Sequence, residues 1–198
     1  MSIPNSRQAD FPIDPQFVAR WSPRAFSGEP IAEETLLTFL EAARWAPSAF
    51  NSQPWRFLYA RRGTPDWDLY LGLVNDFNRA WAQSASAIVF ILSHTRFTPP
   101  GKTEDQDLAT HAFDAGAAWA HLALQASLSG WSTHGIAGIE RDKIRDTLDV
   151  PPAYAIQAGV VIGKPGDIAQ LSESLRQRET PSPRQPLSAL AFAGKFRG

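Results

Sequence analysis

The chain has no cysteine, and its 198 residues include one methionine. The missing thiol removes disulfides, cysteine nucleophiles, zinc ribbons and iron–sulfur ligation together. Long apolar runs are missing too. The longest, 87–92, falls far short of a membrane span. Charge does not lean to one sign: 19 basic against 20 acidic residues leave a formal net charge of -1. Such a balance gives no reason to expect nucleic acid or a membrane surface as partner. Residues 1–11 hold no apolar segment of the kind that marks export, so a cytoplasmic location is expected.

What is present is a mixture of 16 Pro, 7 Trp and 12 Phe. So many aromatics do not suit a disordered chain. A 43% hydrophobic content over this length suffices for one domain, 1–198, with a real core. There is no internal repeat.

The pattern predicts a helix over 30–45. Pro30 suits its first turn, Glu33 and Glu34 its positive end, and Leu36, Leu37, Phe39, Leu40 and Ala43 form one apolar face. Pro47 ends it, and 48–54 is a loop. Strands are expected at 57–60, 85–92 and 155–162. Helices are expected at 67–80, at 140–148 and, longest of all, at 105–129, closed by Gly130. Ala115, Gly116, Ala117, Ala118 and Ala120 make the middle of that long helix small enough for close approach by a backbone or a flat ligand. Residues 97–103 read as a loop, 164–166 as a turn, and 180–198 as a Pro-rich tail turning apolar at 187–192. Long helices on a small sheet make an α+β fold.

Protein-borne chemistry finds little support. Gly101-Lys102-Thr103 looks like the end of a phosphate loop, but Arg96 stands where its first Gly is required. His94, His111, His121 and His134 show no helical metal-ligand spacing. No Gly-x-Ser-x-Gly elbow exists. Asp66 and Asp68 read as first-turn charges rather than a catalytic pair. No metal site and no certain catalytic side chain are expected, which points to a bound cofactor or to no chemistry.

Three segments remain. In Arg20-Trp21-Ser22-Pro23-Arg24, alternate side chains of an extended run share one side, so Arg20, Ser22 and Arg24 would converge on one anion. The plainer alternative is a solvated basic stretch. In 46–55, two prolines freeze a loop carrying Ser48, Asn51 and Gln53, whose amides match a heteroaromatic N–H/C=O edge. The plainer alternative is a helix end and a turn. In 130–138, three glycines allow backbone N–H groups close to a ligand. The plainer alternative is a flexible connection.

In this order the segments resemble the nitroreductase family of FMN-dependent oxidoreductases. The likeness spans nearly the whole chain. It rests on Arg-x-Ser-x-Arg at 20–24, on Ala-x-Trp-Ala-Pro-Ser…Asn-x-Gln-Pro-Trp at 43–55, on Asp114-x-Gly116, on the Gly138 turn, and on Arg-x-Pro-Leu at 184–187. The resemblance implies a small mixed or antiparallel sheet flanked by long helices in an intertwined homodimer. FMN would lie at the dimer interface, with tail 180–198 on the partner subunit. It implies that Arg20, Ser22 and Arg184 hold the FMN phosphate and that Arg24 sits near the flavin N1/O2 edge. Asn78 would read the pyrimidine edge, and Pro47, Ser48 and Asn51 would meet the cofactor. Ile136, Ala137 and Gly138 would lie beside the ring, offering a backbone N–H toward N5. Trp21 and Asp114 complete the implied cofactor-binding set.

The implied activity is hydride transfer from NADH or NADPH, through flavin N5, to a nitroaromatic, quinone or activated alkene by a ping-pong mechanism. Three positions depart from some members: Ala49 replaces a Ser, Ala137 an acidic residue, and Trp81 a Lys that supports N1/O2. Three alternatives stay open: a flavin-storing dimer without catalysis, a specialised reductase of one metabolite, and a purely structural dimer.

Overall fold

A computed structural model describes residues 5–198. The reading of 1–11 therefore falls partly on residues 1–4, outside the described residues. The elements are α1 (Pro15–Ala19), α2 (Glu33–Arg44), β1 (Trp55–Arg61), α3 (Trp67–Gly72), α4 (Asp76–Ala82), β2 (Ala87–His94), β3 (Arg96–Phe97) and β4 (Gln106–Asp107). There follow α5 (His111–Leu128), β5 (Ser132–Ile136), α6 (Arg141–Thr147), β6 (Tyr154–Gly163) and α7 (Glu173–Arg176). The sheet runs β1-β2-β6-β5 and is antiparallel at every pairing. Among the described residues no helix is long and apolar enough to cross a membrane.

β2 organises the layers. Every residue from Ala87 to Ser93 is buried. A strand covered on both faces must be apolar at odd and even positions alike. Ile88, Phe90 and Leu92 join Trp67, Tyr70 and Trp81 in one layer. Ala87, Val89 and Ile91 join Leu36 and Phe39 of α2 and Leu122 of α5 in the other. The small residues of α5 divide: Ala115, Ala118 and Ala126 are buried in that second layer, whereas Gly116 and Ala120 are exposed.

Three sequence expectations are corrected. The helix expected at 67–80 is two helices. Val74 bridges to Ile139, the Asn75 side chain caps α4 by accepting from Asn78 N at 3.0 Å, and Asn75 N donates to Gly138 O at 3.1 Å. Local capping and a tertiary partner override the apolar stripe. The helix expected from residue 105 starts at His111, because Arg96 ties Asp105 and Asp107 into the β3–β4 pair. The stretch 130–138, read as a loop or flexible connection, contains β5, paired with β6 from Ser132↔Gly163 to Ile136↔Gly159. Pro30 also lies before α2 rather than in its first turn, since Ala32 is the cap. Gly130 does close α5, with φ +75°.

The run after α1 is fastened by Phe26. Its ring is fully buried, 6.2 Å from that of Trp81. Phe26 bridges to Pro165, Ser27 N donates to Lys164 O at 3.0 Å, and Gly166 N donates to Ala25 O at 2.8 Å. A Cβ on Gly163 would come 2.6 Å from the Phe26 ring, and one on Gly166 would run into the Phe26 carbonyl. Both glycines are required by close approach. Gly166→Ala is expected to cost about 1–3 kcal/mol, as overpacking does, read from the urea midpoint at unchanged m. An unaltered midpoint would contradict this account.

His134 of β5 sits against Trp81, with ring centroids 4.8 Å apart, and its Nδ1 donates to Pro23 O at 2.9 Å. Burial, aided by Arg24 and Arg20, lowers its pKa below the ordinary imidazole value, against the opposing pull of the Pro23 bond and Glu179. The unfolded chain therefore takes up a proton at a higher pH than the native one. Stability is complete above the unfolded value and falls as pH drops through it. The thermal midpoint should decline between about pH 7 and pH 5, and His134→Gln should flatten part of that decline. An identical slope in the variant would remove His134 as a contributor.

Candidate functional site: a cation cluster beside a buried carboxylate

Residues 20–24 belong to no helix or strand and run from the end of α1 to the Phe26 bridge. Arg20 is half-buried, with Nη1 3.5 Å from Ser22 Oγ. A third element reaches the same place. Arg7 donates from Nη1 to Arg20 O at 2.8 Å and from Nε to Ser182 O at 2.8 Å. Arg184 donates to the same Ser182 carbonyl at 3.2 Å. The tail thus lies along this chain's own N-terminal residues, where Leu187 N also donates to Asp10 Oδ2 at 2.7 Å. A hollow of about 540 Å³ opens there, lined in part by Arg7, Phe17, Arg184 and Leu187.

The cluster carries no internal counter-charge. None of Arg7, Arg20 and Arg184 forms an ion pair among the described residues. Burial first, then Arg7 and Arg184, lowers the pKa of Arg20; burial first, then Arg184, lowers that of Arg7. Arg7 spends Nε and Nη1 on backbone carbonyls and Arg184 spends Nη1, whereas Arg20 makes only the long contact to Ser22. Guanidiniums that repel one another and retain donor N–H groups suit an oxyanion with several acceptor oxygens.

Arg24, the third residue of the expected Arg20–Ser22–Arg24 convergence, differs from Arg7, Arg20 and Arg184 in having a carboxylate partner, Glu179. Its Oε1 accepts from Arg24 N at 2.5 Å and Ala25 N at 2.9 Å, and its Oε2 lies 3.6 Å from Arg24 Nη1. Trp21 is half-buried within the same run.

The other expected residues form two further groups. Gly138 lies under α4: Asn78 Nδ2 donates to its carbonyl at 3.4 Å, and a Cβ there would run into the amides of Asn78 and Asn75. Ile136 is buried and Ala137 exposed, with the Ala137 carbonyl accepting from Ile139 N and Arg141. The third group is the 47–54 loop. Pro47 is exposed, Ser48 Oγ accepts from Gln53 N at 3.0 Å, and Ala49 N donates to the buried Asp114 at 3.3 Å. Asp114 also accepts from Thr110 Oγ1 at 3.0 Å. Phe50, Asn51 and Gln53 hold positive φ of 54°, 53° and 48°. That is a strained conformation for side-chain-bearing residues, of the kind concentrated at ligand sites. The exposed Phe50 ring stacks on Phe97, 5.8 Å away. No hydrogen bond or ion pair joins this loop to Arg7, Arg20 or Arg184 among the described residues; its arginine contact is Arg56 Nη1, which donates to Gln53 O at 3.0 Å.

Trp81 is buried in the core and brings no charge to the site. Trp45 and Phe50 are 70% and 71% exposed, so neither is core. Sequence reasoning missed Arg7 and Glu179, isolated residues outside every motif. It also missed a relay at the head of α5. Buried Ser93 accepts from Gln157 Nε2 at 2.7 Å, and its hydroxyl shares a hydrogen bond with His111 Nδ1, also at 2.7 Å.

Comparison with known proteins bears on the family and the fold. The chain is 47% identical to an oxidoreductase containing FMN, over the full length of both chains, with a TM-score of 0.95. A protein of Exiguobacterium sibiricum 255-15 solved with FMN shares 21% identity and the fold, with a TM-score of 0.72 over 93% of this chain and 98% of that one. An uncharacterised 15.4 kDa protein of Mycolicibacterium smegmatis is 29% identical over 151 residues, 71% of this chain and 97% of its own. The model of the nitroreductase family matches residues 18–66 and 65–164, and on that match the chain belongs to the nitroreductase family.

Proposed function

We propose that this protein is an FMN-dependent oxidoreductase that accepts hydride from NADH or NADPH and reduces a nitroaromatic, quinone or activated alkene, working as a homodimer. The observation that carries the reading is the cluster of Arg7, Arg20 and Arg184, which has no carboxylate partner among the described residues. Its remaining donor N–H groups and mutual repulsion fit a phosphate monoester, and the compact cluster suits a mononucleotide. That a 47% identical protein contains FMN supports the same choice.

When bound, FMN supplies a two-electron carrier that accepts hydride at N5 and returns it to the acceptor. The chain's residues bind and orient it. Arg20, Ser22 and Arg184 would hold the phosphate, with Trp21 in the same run. Arg7 steadies the carbonyls of Arg20 and Ser182 and adds charge. Arg24 would stand at the N1/O2 edge, Asn78 at the pyrimidine edge, and Ile136, Ala137 and Gly138 beside the ring. Pro47, Ser48 and Asn51, on the loop held by Asp114, have no bonded link to the arginines of their own chain. They would serve the partner's site. The exposed Phe113, Leu128 and Phe50 supply apolar surface for that dimer. A hollow of about 970 Å³ between α2 and β1 gives it further surface to cover.

Purified protein should bind FMN and not require FAD. Arg20→Ala and Arg184→Ala should each weaken FMN about ten- to a hundred-fold, as expected for the loss of a charge-assisted hydrogen bond, measured by flavin fluorescence. Unchanged affinity in both would exclude the cluster as the phosphate site.

One ring face serving both nicotinamide and acceptor makes their binding mutually exclusive. Initial rates should then give parallel double-reciprocal lines. Intersecting lines would show both substrates bound together.

A further inference from the structure

Glu179 is fully buried, yet it belongs to no part of the cation cluster. Its Oε1 is occupied by the N–H groups of Arg24 and Ala25. Its Oε2 has no hydrogen-bond partner among the described residues and lies 3.6 Å from Arg24 Nη1, where the guanidinium side chain is 16% exposed. A buried carboxylate is tolerated only where a charge and donors compensate it. The molecule thus contains two kinds of cation side by side. Arg7, Arg20 and Arg184 are uncompensated, whereas Arg24 is clamped by a buried acid. Trp81, packed on Phe26 and His134, adds no charge between them.

The distinction matches two chemical demands. A phosphate is anionic in every redox state, so bare cations suit it. A ring whose charge changes on reduction responds to the net field beside it: a bare cation favours the electron-rich form, and a compensated one does so far less. We propose that Glu179 is a positioning residue that fixes the Arg24 guanidinium and offsets its charge, holding down the reduction potential of bound flavin. This rests on the placement of Arg24 at the N1/O2 edge proposed above. The backbone bonds to Arg24 and Ala25 make the acid a fixed part of the site rather than a mobile surface partner.

The test uses full-length, FMN-loaded protein and measures the flavin midpoint potential. Glu179→Gln keeps an oxygen for both backbone N–H groups and removes the negative charge. The expected result is a shift to more positive potential. A tenfold gain in preference for reduced over oxidised FMN corresponds to about 30 mV for a two-electron couple. The shift should vanish when Arg24→Met is the background, because there is then no cation to unmask. A merely structural acid would lower the thermal midpoint and leave the potential where it was, and that result would overturn the proposal. An equal shift with and without Arg24 would overturn it too. Should the Gln variant not fold, Glu179→Asp keeps the charge but withdraws it from Arg24. It should shift the potential in the same direction, and no shift would count against the proposal. Failure of the unaltered protein to bind FMN would instead remove the functional reading, an outcome distinct from an unmoved potential in a flavin-loaded variant.

Discussion

The candidate site depends on how residues 20–27 are held, and Phe26 holds them. Its ring fills a place that exists only because Gly163 and Gly166 have no side chains. Its backbone zips to Pro165, with flanking bonds from Ser27 to Lys164 and from Gly166 to Ala25. With that wedge in place, Arg20 and Ser22 project on one side of the fastening, while the amides of Arg24 and Ala25 project toward Glu179. The anion cluster and the clamped arginine are two results of a single backbone path. Neither needs regular secondary structure, because tertiary hydrogen bonds take over the satisfaction of the polar backbone.

Charge is sorted along this path by burial. Arg7, Arg20 and Arg184 lie at the half-buried and exposed end, where mutual repulsion is screened and an incoming anion can relieve it. Arg24 lies nearer the core, where its buried partner is required. His134 sits among them as a neutral ring, kept so chiefly by burial against Trp81. The neutral imidazole spaces the charged groups without adding to them.

Much of the fold could be read from the chain because it follows from periodicity. β2 was legible as an unbroken apolar run, α2 from its stripe with Glu33 and Glu34 at the head, and the end of α5 from Gly130. β5 was not legible. Its five residues, Ser132–Ile136, include a glycine and three polar side chains, and its strand character comes from pairing with β6. The break between α3 and α4 was hidden for a related reason: Asn75 acts through Gly138, more than sixty positions away. At the site, the Arg-x-Ser-x-Arg run and the 47–54 loop stood out as clusters of chemistry-bearing residues. Arg7 and Glu179 did not, since a single arginine or glutamate in a polar stretch carries no local signal. Alternation in an extended run describes side-chain direction alone, and it carries no sign of Glu179, the acid that Arg24 meets across 155 residues.

The distance along the chain between the two halves of this site has a consequence for biosynthesis. Glu179 bonds to Arg24 across 155 residues, and Arg7 to Ser182 across 175. Contacts of such separation must overcome loop-closure entropy and form after local helices and hairpins. During synthesis the Arg20–Arg24 run emerges 155 residues ahead of Glu179 and waits for its acid partner and for the far half of its cation cluster. On the proposed reading, a nascent chain arrested between the two has the core strands it needs to collapse but still lacks residues that would retain the cofactor.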